Sequence, residues 1–205
     1  MNAPSIRRGK LLLFATASSG GLHSFRPLAG WRMPKSIAIF GGSFNPPGQH
    51  HAAIALRLAE MFDEVRVIPC GPRPDKLVTG SVPPVYRAAL ADIVFGGLPK
   101  VIVDLSDFEQ ETFTRNHELQ TRFEHEGEVW HVVGADLLAG GARGESPIQQ
   151  SWARGAELWQ TANFAVLRRP GYEIDARDLP PHAREVDLVV EGASTLIRER
   201  LSSGK

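Results

Sequence analysis

The sequence predicts an α/β fold of the doubly wound type, in which a mostly parallel sheet carries helices on both faces. Short apolar runs alternate with longer segments whose apolar residues recur at helical spacing, and this alternation is typical of strands joined by crossover helices. The first apolar run is followed by a glycine-containing turn segment, residues 41–51, and then by a helix-like segment. With 205 residues, of which 42% are hydrophobic, the chain is long enough to bury a core.

Each predicted strand is a short apolar run bounded by turn residues. These runs are residues 37–40, 64–68, 101–103, 129–133, 164–167 and 186–190. Helical spacing predicts helices over residues 52–59, 86–95, 114–126, 152–159 and 194–201. Residues 140–150 are predicted to be a loop, because they are rich in glycine and polar residues. We expect a single domain over residues 35–205.

Residues 1–34 differ from the rest of the chain. They contain several arginines, whereas the first acidic residue of the sequence is Glu60. An apolar run after Arg7 and Arg8 has the outline of a short signal peptide, and the acid-free composition also suits a transit peptide. Alternatively, Met33 is the real start, or the segment is a disordered tail.

The overall composition limits the classes of partner. Lysine plus arginine equals aspartate plus glutamate, at 23 each, so no net basic charge indicates a nucleic acid. No apolar run approaches the length needed to cross a membrane. The single cysteine, Cys70, cannot form an internal disulfide, which favours a reducing compartment. We therefore expect a cytoplasmic protein that binds neither nucleic acid nor membrane.

The most informative segment follows the first predicted strand and reads Gly-Gly-Ser-Phe-Asn-Pro-Pro-Gly-Gln-His-His, residues 41–51. A buried strand, a tight glycine turn and a helix start place main-chain N–H groups and the positive end of a helix dipole where a phosphate can bind. Two histidines stand at the start of that helix. The segment therefore predicts a nucleotide-binding loop.

This loop resembles the signature of the nucleotidyltransferases that carry an H-x-G-H motif, most closely the nicotinate/nicotinamide mononucleotide adenylyltransferases. The resemblance covers nearly all of the chain except residues 1–34 and implies a Rossmann-like nucleotidyltransferase fold. The ATP-binding residues that it implies in this loop are Gly41, Gly42, Ser43, Phe44 and His50. His51 occupies the last motif position and is implied to be catalytic, because an imidazole there can donate to the charge on a transferring phosphoryl group. Gly48 stands where many members have the first histidine, which removes one donor to the triphosphate.

Near the carboxyl end, residues 194–198 read Ser-Thr-Leu-Ile-Arg and resemble the S-T-x-x-R motif of the same superfamily. A helix start there offers hydroxyl groups and main-chain amides, and Arg198 lies one turn further on the same face. An arginine fork suits the β- and γ-phosphates of ATP. The resemblance implies that Ser194 and Thr195 bind ATP and that Arg198 is catalytic.

The middle of the chain resembles the family on the acceptor side. The loop after the second strand resembles P-x-x-x-x-P-H-K, residues 112–114 resemble S-Y-T, and residues 134–136 match G-x-D. A carboxylate at the carboxyl end of a strand can accept hydrogen bonds from ribose hydroxyls, and a tryptophan offers a flat face to a pyridine ring. The substrate-binding residues that the resemblance implies are Lys76, Thr114, Asp136, Trp152 and Arg169. An acidic cluster, residues 104–111, is predicted to be a solvated edge or, alternatively, to help position the substrate.

Together these features predict an adenylyltransferase that joins the AMP part of ATP to nicotinate or nicotinamide mononucleotide and releases pyrophosphate. Mg2+ is expected to bridge the ATP phosphates and to be held mainly by them and by water, without a protein metal site. Two alternatives stay open. One is a sister transferase that uses pantetheine phosphate or a CTP-dependent acceptor, and the other is a non-catalytic nucleotide-binding homologue. The sequence predicts neither the oligomeric state nor the preferred mononucleotide.

Overall fold

The structure is a computed structural model that describes residues 34–73, 82–168, 173–188, 197–199 and 203. The chain divides between Met33 and Pro34 into two units, and every described residue belongs to the second. The predicted extension, residues 1–34, lies outside the described residues apart from Pro34.

The described strands form one sheet in the order β3-β2-β1-β4-β5-β6, and all neighbouring strands pair in parallel. They are β1 (Ser36–Gly42), β2 (Glu64–Pro69), β3 (Val101–Val103), β4 (Glu128–Gly134), β5 (Asn163–Leu167) and β6 (Ala183–Val186). This is the strand order of doubly wound dinucleotide-binding sheets. The predicted fold class is therefore confirmed.

The helices that the structure describes in full lie between these strands. They are α1 (Gln49–Met61), α2 (Pro84–Phe95), α3 (Ser106–Glu109), α4 (Asn116–Phe123), α5 (Pro147–Ser151) and α6 (Gly155–Thr161). Residues 197–199 are also helical, within the last predicted helix. None of the described helices combines the length and the apolar character needed to cross a membrane.

Both faces of the sheet are covered by helices. Alternate residues of each strand point to opposite sides, so one strand contributes to the clusters on both faces. Ala38 and Phe40 of β1 belong to a buried cluster that includes Leu58 of α1 and Phe95 of α2. The intervening residues of β1, 37 and 39, join a second cluster with the apolar side chains of α4. A third cluster lies at β4 and β5 and includes apolar residues of α5 and α6. The strands are therefore buried on both sides, as their continuous apolar sequences require.

The strand order reverses at β1, which has β2 on one side and β4 on the other. In open parallel sheets, ligands bind in the crevice outside the carboxyl ends of the strands at such a switch point. The loop after β1 and the turn after β4 both start at this crevice. The topology thus brings residues 41–51 and 134–136 to one edge of the sheet.

The prediction of a loop over residues 140–150 is wrong in part, because this segment contains a 3₁₀ turn (Gly141–Arg143) and α5. Ser146 caps α5, since its hydroxyl accepts the N–H of Gln149 and Pro147 takes the first helical position. Asp178 accepts the N–H groups of Ala142 and Gly140, and these bonds hold the pKa of that carboxyl below its usual value.

The helix predicted over residues 152–159 begins later, at Gly155. Trp152 ends α5, and Arg154 adopts the left-handed conformation that separates α5 from α6. A Cβ on Gly155 would lie 1.9 Å from the carbonyl oxygen of Ile148, so only glycine allows the two short helices to approach this closely. The strand predicted at residues 186–190 is wrong in its bounds: β6 covers Ala183–Val186, residues 187 and 188 follow it outside the strand, and residues 189 and 190 lie outside the described part of the chain.

His131 of β4 is buried at the centre of the sheet and is 1% exposed. It lies opposite Ile39 of β1 and Phe164 of β5, and its Nε2 is 3.0 Å from Oε1 of Gln120. Burial lowers the pKa of His131 from 6.5 to about 4, because the cation cannot be hydrated there. The neutral imidazole is thus part of the core.

We expect the free energy of unfolding to fall as the pH decreases from about 6.5 to about 4, because only the unfolded chain then protonates His131. Between pH 7 and pH 4.5 this one group accounts for about 2 kcal/mol. Urea unfolding at both pH values measures the loss. His131→Gln keeps an amide donor near Gln120 and should lose about 2 kcal/mol less than the wild type over the same range. Equal losses in the two proteins would contradict the assignment.

Candidate active site

The loop after β1 ends at Gly48, which is the N-cap of α1. The N–H of His51 donates to the carbonyl oxygen of Gly48 at 2.9 Å, and Nδ1 of His51 accepts the N–H of Gly48 at 3.1 Å. Because Nδ1 accepts a hydrogen bond, the neutral ring carries its proton on Nε2. The cap therefore sets the tautomer in which His51 can donate from Nε2.

The ring of His51 packs against the buried ring of Phe44. The ring of Phe44 is 2% exposed and packs edge-on against Phe40, Phe95 and His51, with centroid distances of 5.1 to 5.3 Å. The ring of His50 lies 3.8 Å from that of His51 on a tilted plane. Of the predicted ATP-binding residues, Phe44 can therefore present only its main chain to a phosphate, and its side chain belongs to the core.

The glycines at the end of β1 serve two different purposes. A Cβ on Gly42 would lie 3.0 Å from the ring of Phe44, closer than an ordinary van der Waals contact, so the glycine leaves room for that ring. A Cβ on Gly41 would meet no described atom within 4 Å. The missing side chain at Gly41 therefore leaves open space at the carboxyl end of the central strand, where a ligand can approach the backbone.

The carboxyl-terminal motif reaches this loop. Nη1 of Arg198 donates to the carbonyl oxygen of Asn45 at 2.6 Å, across 153 positions of sequence. A Cβ on Gly48 would lie 2.9 Å from Cδ1 of Ile197, so the residue before Arg198 packs against the loop as well. The structure thus brings together the two motifs that the sequence places at opposite ends of the domain. Ser194 and Thr195 lie outside the described residues.

The acceptor-side residues are placed in different ways. Asp136 follows β4 in a 3₁₀ turn (Ala135–Leu137) at the switch-point edge, as its motif predicts. Trp152 is half-buried and packs against the third cluster, with its ring 6.5 Å from that of Phe164, so part of its surface serves the core. Lys76 and Arg169 lie outside the described residues.

The half-buried Thr114 uses its hydroxyl within the protein. Its Oγ1 donates to Oδ1 of Asp107 at 2.5 Å, and its N–H also donates to that carboxylate. Asp107 is 1% exposed, so the interpretation of the acidic cluster as a solvated edge is wrong for this residue. Asp107 and the neighbouring Phe108 are both buried residues of α3. This helix has only four residues, so it is too short to show a helical repeat of apolar residues from which the burial could have been predicted.

Sequence reasoning also missed Arg87, an arginine on the buried face of α2. It is 1% exposed, and its Nη2 donates to the carbonyl oxygens of Ser43 and Cys70. One signal was available, since Arg87 lies four residues before Ala91 and eight before Phe95 on the apolar face of that helix. Nη2 of Arg87 also lies 4.0 Å from the Cys70 sulfur, and burial of that thiol raises its pKa.

The described residues hold no group of three or more histidine, cysteine, aspartate or glutamate side chains that could bind a metal ion. Among the described residues, Arg87 and Arg198 bring positive charge to the loop, since both donate to its carbonyl oxygens.

Residues 39–203 match the family model described as cytidylyltransferase-like. A protein of Bacteroides fragilis (strain YCH46) named probable nicotinate-nucleotide adenylyltransferase is 30% identical over 175 residues, which cover 82% of each chain. A protein of the same name from Roseiflexus sp. (strain RS-1) is 29% identical over 181 residues, covering 82% of this chain and 87% of its own.

A solved structure shares the fold. Plasmodium falciparum nicotinic acid mononucleotide adenylyltransferase complexed with NaAD superimposes with a TM-score of 0.63 at 22% identity, over 82% of this chain and 84% of that one. At this identity the likeness shows a common arrangement of strands and helices.

The contact between Gly48 and Ile197 can be tested by a double-mutant cycle. Gly48→Ala should lower the free energy of unfolding by about 1 kcal/mol, because the added methyl meets Cδ1 of Ile197 and the ring of His50. In an Ile197→Ala background the cost should fall by about 0.5 kcal/mol or more, since the facing atom is gone. Urea unfolding of the four proteins gives the coupling.

Gly41→Ala is the matched control, because its methyl meets no described atom, and we expect a change within about 0.5 kcal/mol. If Gly48→Ala costs the same in both backgrounds, the two motifs are not in contact.

Proposed function

This chain belongs to the cytidylyltransferase-like family and, within it, to the nicotinate-nucleotide adenylyltransferases, and we propose that it transfers the AMP part of ATP to nicotinate mononucleotide. The products are pyrophosphate and the dinucleotide, so the reaction is a step of NAD biosynthesis. The names of the relatives favour nicotinate over nicotinamide mononucleotide as the acceptor. We propose that the protein acts in the cytoplasm.

One observation carries the proposal for the site: Arg198 and Ile197 contact the loop that begins α1. A triphosphate bound at that helix start would lie beside both the histidine motif and the arginine motif. Neither motif alone can contact the whole triphosphate. Together, the histidine motif can contact the α-phosphate and the arginine motif can contact the β- and γ-phosphates. The switch-point crevice next to them leaves space for the second nucleotide.

The proposed reaction needs position and positive charge and no protein nucleophile. A 5′-phosphate oxygen of the mononucleotide attacks the α-phosphorus of ATP in line. The bond from that phosphorus to the bridging oxygen breaks, and pyrophosphate leaves with the oxygen. His51 donates from Nε2 to the α-phosphoryl group as charge builds on it, and Arg198 stabilises the leaving pyrophosphate. Mg2+ bound to ATP would supply further positive charge to the phosphates.

Incubation of the protein with ATP, Mg2+ and one mononucleotide at a time tests this function through pyrophosphate release. We expect turnover with nicotinate mononucleotide and a lower kcat/KM with nicotinamide mononucleotide. Pantetheine phosphate is the negative control. Binding of ATP without release of pyrophosphate for any acceptor would contradict the proposed activity.

The role of His51 has a test that separates catalysis from helix capping. In His51→Asn the amide oxygen can still accept the N–H of Gly48, whereas the Nε2 donor is lost. We expect kcat to fall on the order of a hundredfold, as for removal of one transition-state donor. The melting temperature should stay close to that of the wild type. Undiminished turnover in a folded His51→Asn protein would exclude the proposed role.

A further inference from the structure

The peptide unit between Cys70 and Gly71, directly after β2, is held on both sides by buried charged side chains. Its carbonyl oxygen accepts from Nη2 of Arg87 at 2.8 Å, and its N–H donates to Oδ2 of Asp107 at 3.3 Å. Each of these side chains is 1% exposed. A single peptide thus receives a hydrogen bond from a cation and gives one to an anion.

Arg87 extends from this peptide to the phosphate loop. The same Nη2 donates to the carbonyl oxygen of Ser43, and the guanidinium lies 4.8 Å from the ring centroid of Phe108. The loop after β1 and the end of β2 are therefore tied to one nitrogen atom. Movement of Arg87 would release both.

Asp107 extends from the peptide in the other direction, to the segment that carries Thr114. It accepts the N–H of Thr114 at 3.1 Å and its hydroxyl at 2.5 Å. The same segment passes so close to the peptide that a Cβ on Gly71 would lie 1.8 Å from the carbonyl oxygen of Thr112. The spacing between β2 and this segment is thus fixed by contact as well as by charge.

Buried charges are costly unless hydrogen bonds compensate them, and apolar residues would often be equally stable. Here the compensating groups are main-chain atoms of three segments that converge on the candidate active site, together with the hydroxyl of Thr114. Charge at these positions therefore fixes backbone positions, which an apolar side chain could not do. The arrangement is suited to alignment of two substrates.

We propose that Arg87 and Asp107 are positioning residues that set the spacing between the ATP phosphate loop and the acceptor segment through the Cys70–Gly71 peptide. This inference rests on the proposed adenylyltransferase function. Neither residue needs to touch a substrate. A displacement of about 1 Å at a reacting group is enough to lower the rate a hundredfold.

The test is a steady-state double-mutant cycle with both substrates varied. Arg87→Met should raise the KM for ATP about tenfold and the KM for the mononucleotide about threefold. Asp107→Asn should raise the KM for the mononucleotide more than the KM for ATP, because it weakens the hydrogen bonds that hold Thr114 in the acceptor segment. The double variant should lose less kcat/KM than the product of the two single losses, because both act on one peptide. Arg87→Lys, which keeps a donor under the loop, should recover part of the ATP affinity.

Two controls lie at the amino ends of the strands, away from the candidate active site, and make the same kinds of substitution as these variants. Lys100 donates to the carbonyl oxygens of Ala59 and Phe62, so Lys100→Met removes a similar cation from main-chain acceptors. Asp63 accepts the N–H and the hydroxyl of Ser36, so Asp63→Asn matches Asp107→Asn. Both controls should lower the melting temperature and leave each KM within about twofold.

KM values that stay within twofold in Arg87→Met and Asp107→Asn would overturn the inference, and so would losses that multiply fully in the double variant. Binding of an ATP analogue with a methylene group between the α- and β-phosphates separates this result from a failure of the proposed function. If the wild type shows no turnover, about tenfold weaker analogue binding in Arg87→Met, with Lys100→Met unchanged, still supports the role of Arg87 in positioning the loop. Equal binding of the analogue by Arg87→Met and Lys100→Met overturns the inference. Failure of the wild type to bind the analogue overturns it as well.

Discussion

The loop between β1 and α1 keeps its shape because arginines from distant parts of the chain bind its carbonyl oxygens. Arg87, from α2, donates to the carbonyl oxygen of Ser43. Arg198, from the far end of the chain, donates to that of Asn45. A loop at the end of a strand has no ladder of its own, so these bonds take the place of secondary structure. They also put two positive charges beside the helix start at which we propose that ATP binds.

The chemistry available to His51 follows from packing around it. The core ring of Phe44 supports the imidazole, and the N–H of Gly48 occupies its Nδ1. The hydrogen bond selects the tautomer in which the neutral ring carries its proton on Nε2. The missing first histidine of the motif is thus replaced by a glycine that approaches Ile197 closely.

Local patterns in the sequence predicted the first five strands and the longer helices, because each is an uninterrupted apolar run or a repeat of helical spacing. They misplaced β6, whose residues 183–186 are not an apolar run. They failed where short elements depend on contacts from elsewhere. The segment at residues 140–150 is organised by Asp178, more than thirty positions away, and by a cap at Ser146. The burial of Asp107 likewise depends on partners at Gly71 and Thr114, which no local pattern announces.

The sequence by itself determined the doubly wound sheet, the phosphate loop at the first strand–helix junction and the family to which both motifs belong. Periodicity and turn residues act over a few positions, so they can be read without a structure. Only the tertiary structure decided that Arg198 meets the loop 153 positions earlier, and that Arg87 and Asp107 share one peptide. A buried charge looks the same in a sequence as a solvated one, because its partners are main-chain groups that every residue carries.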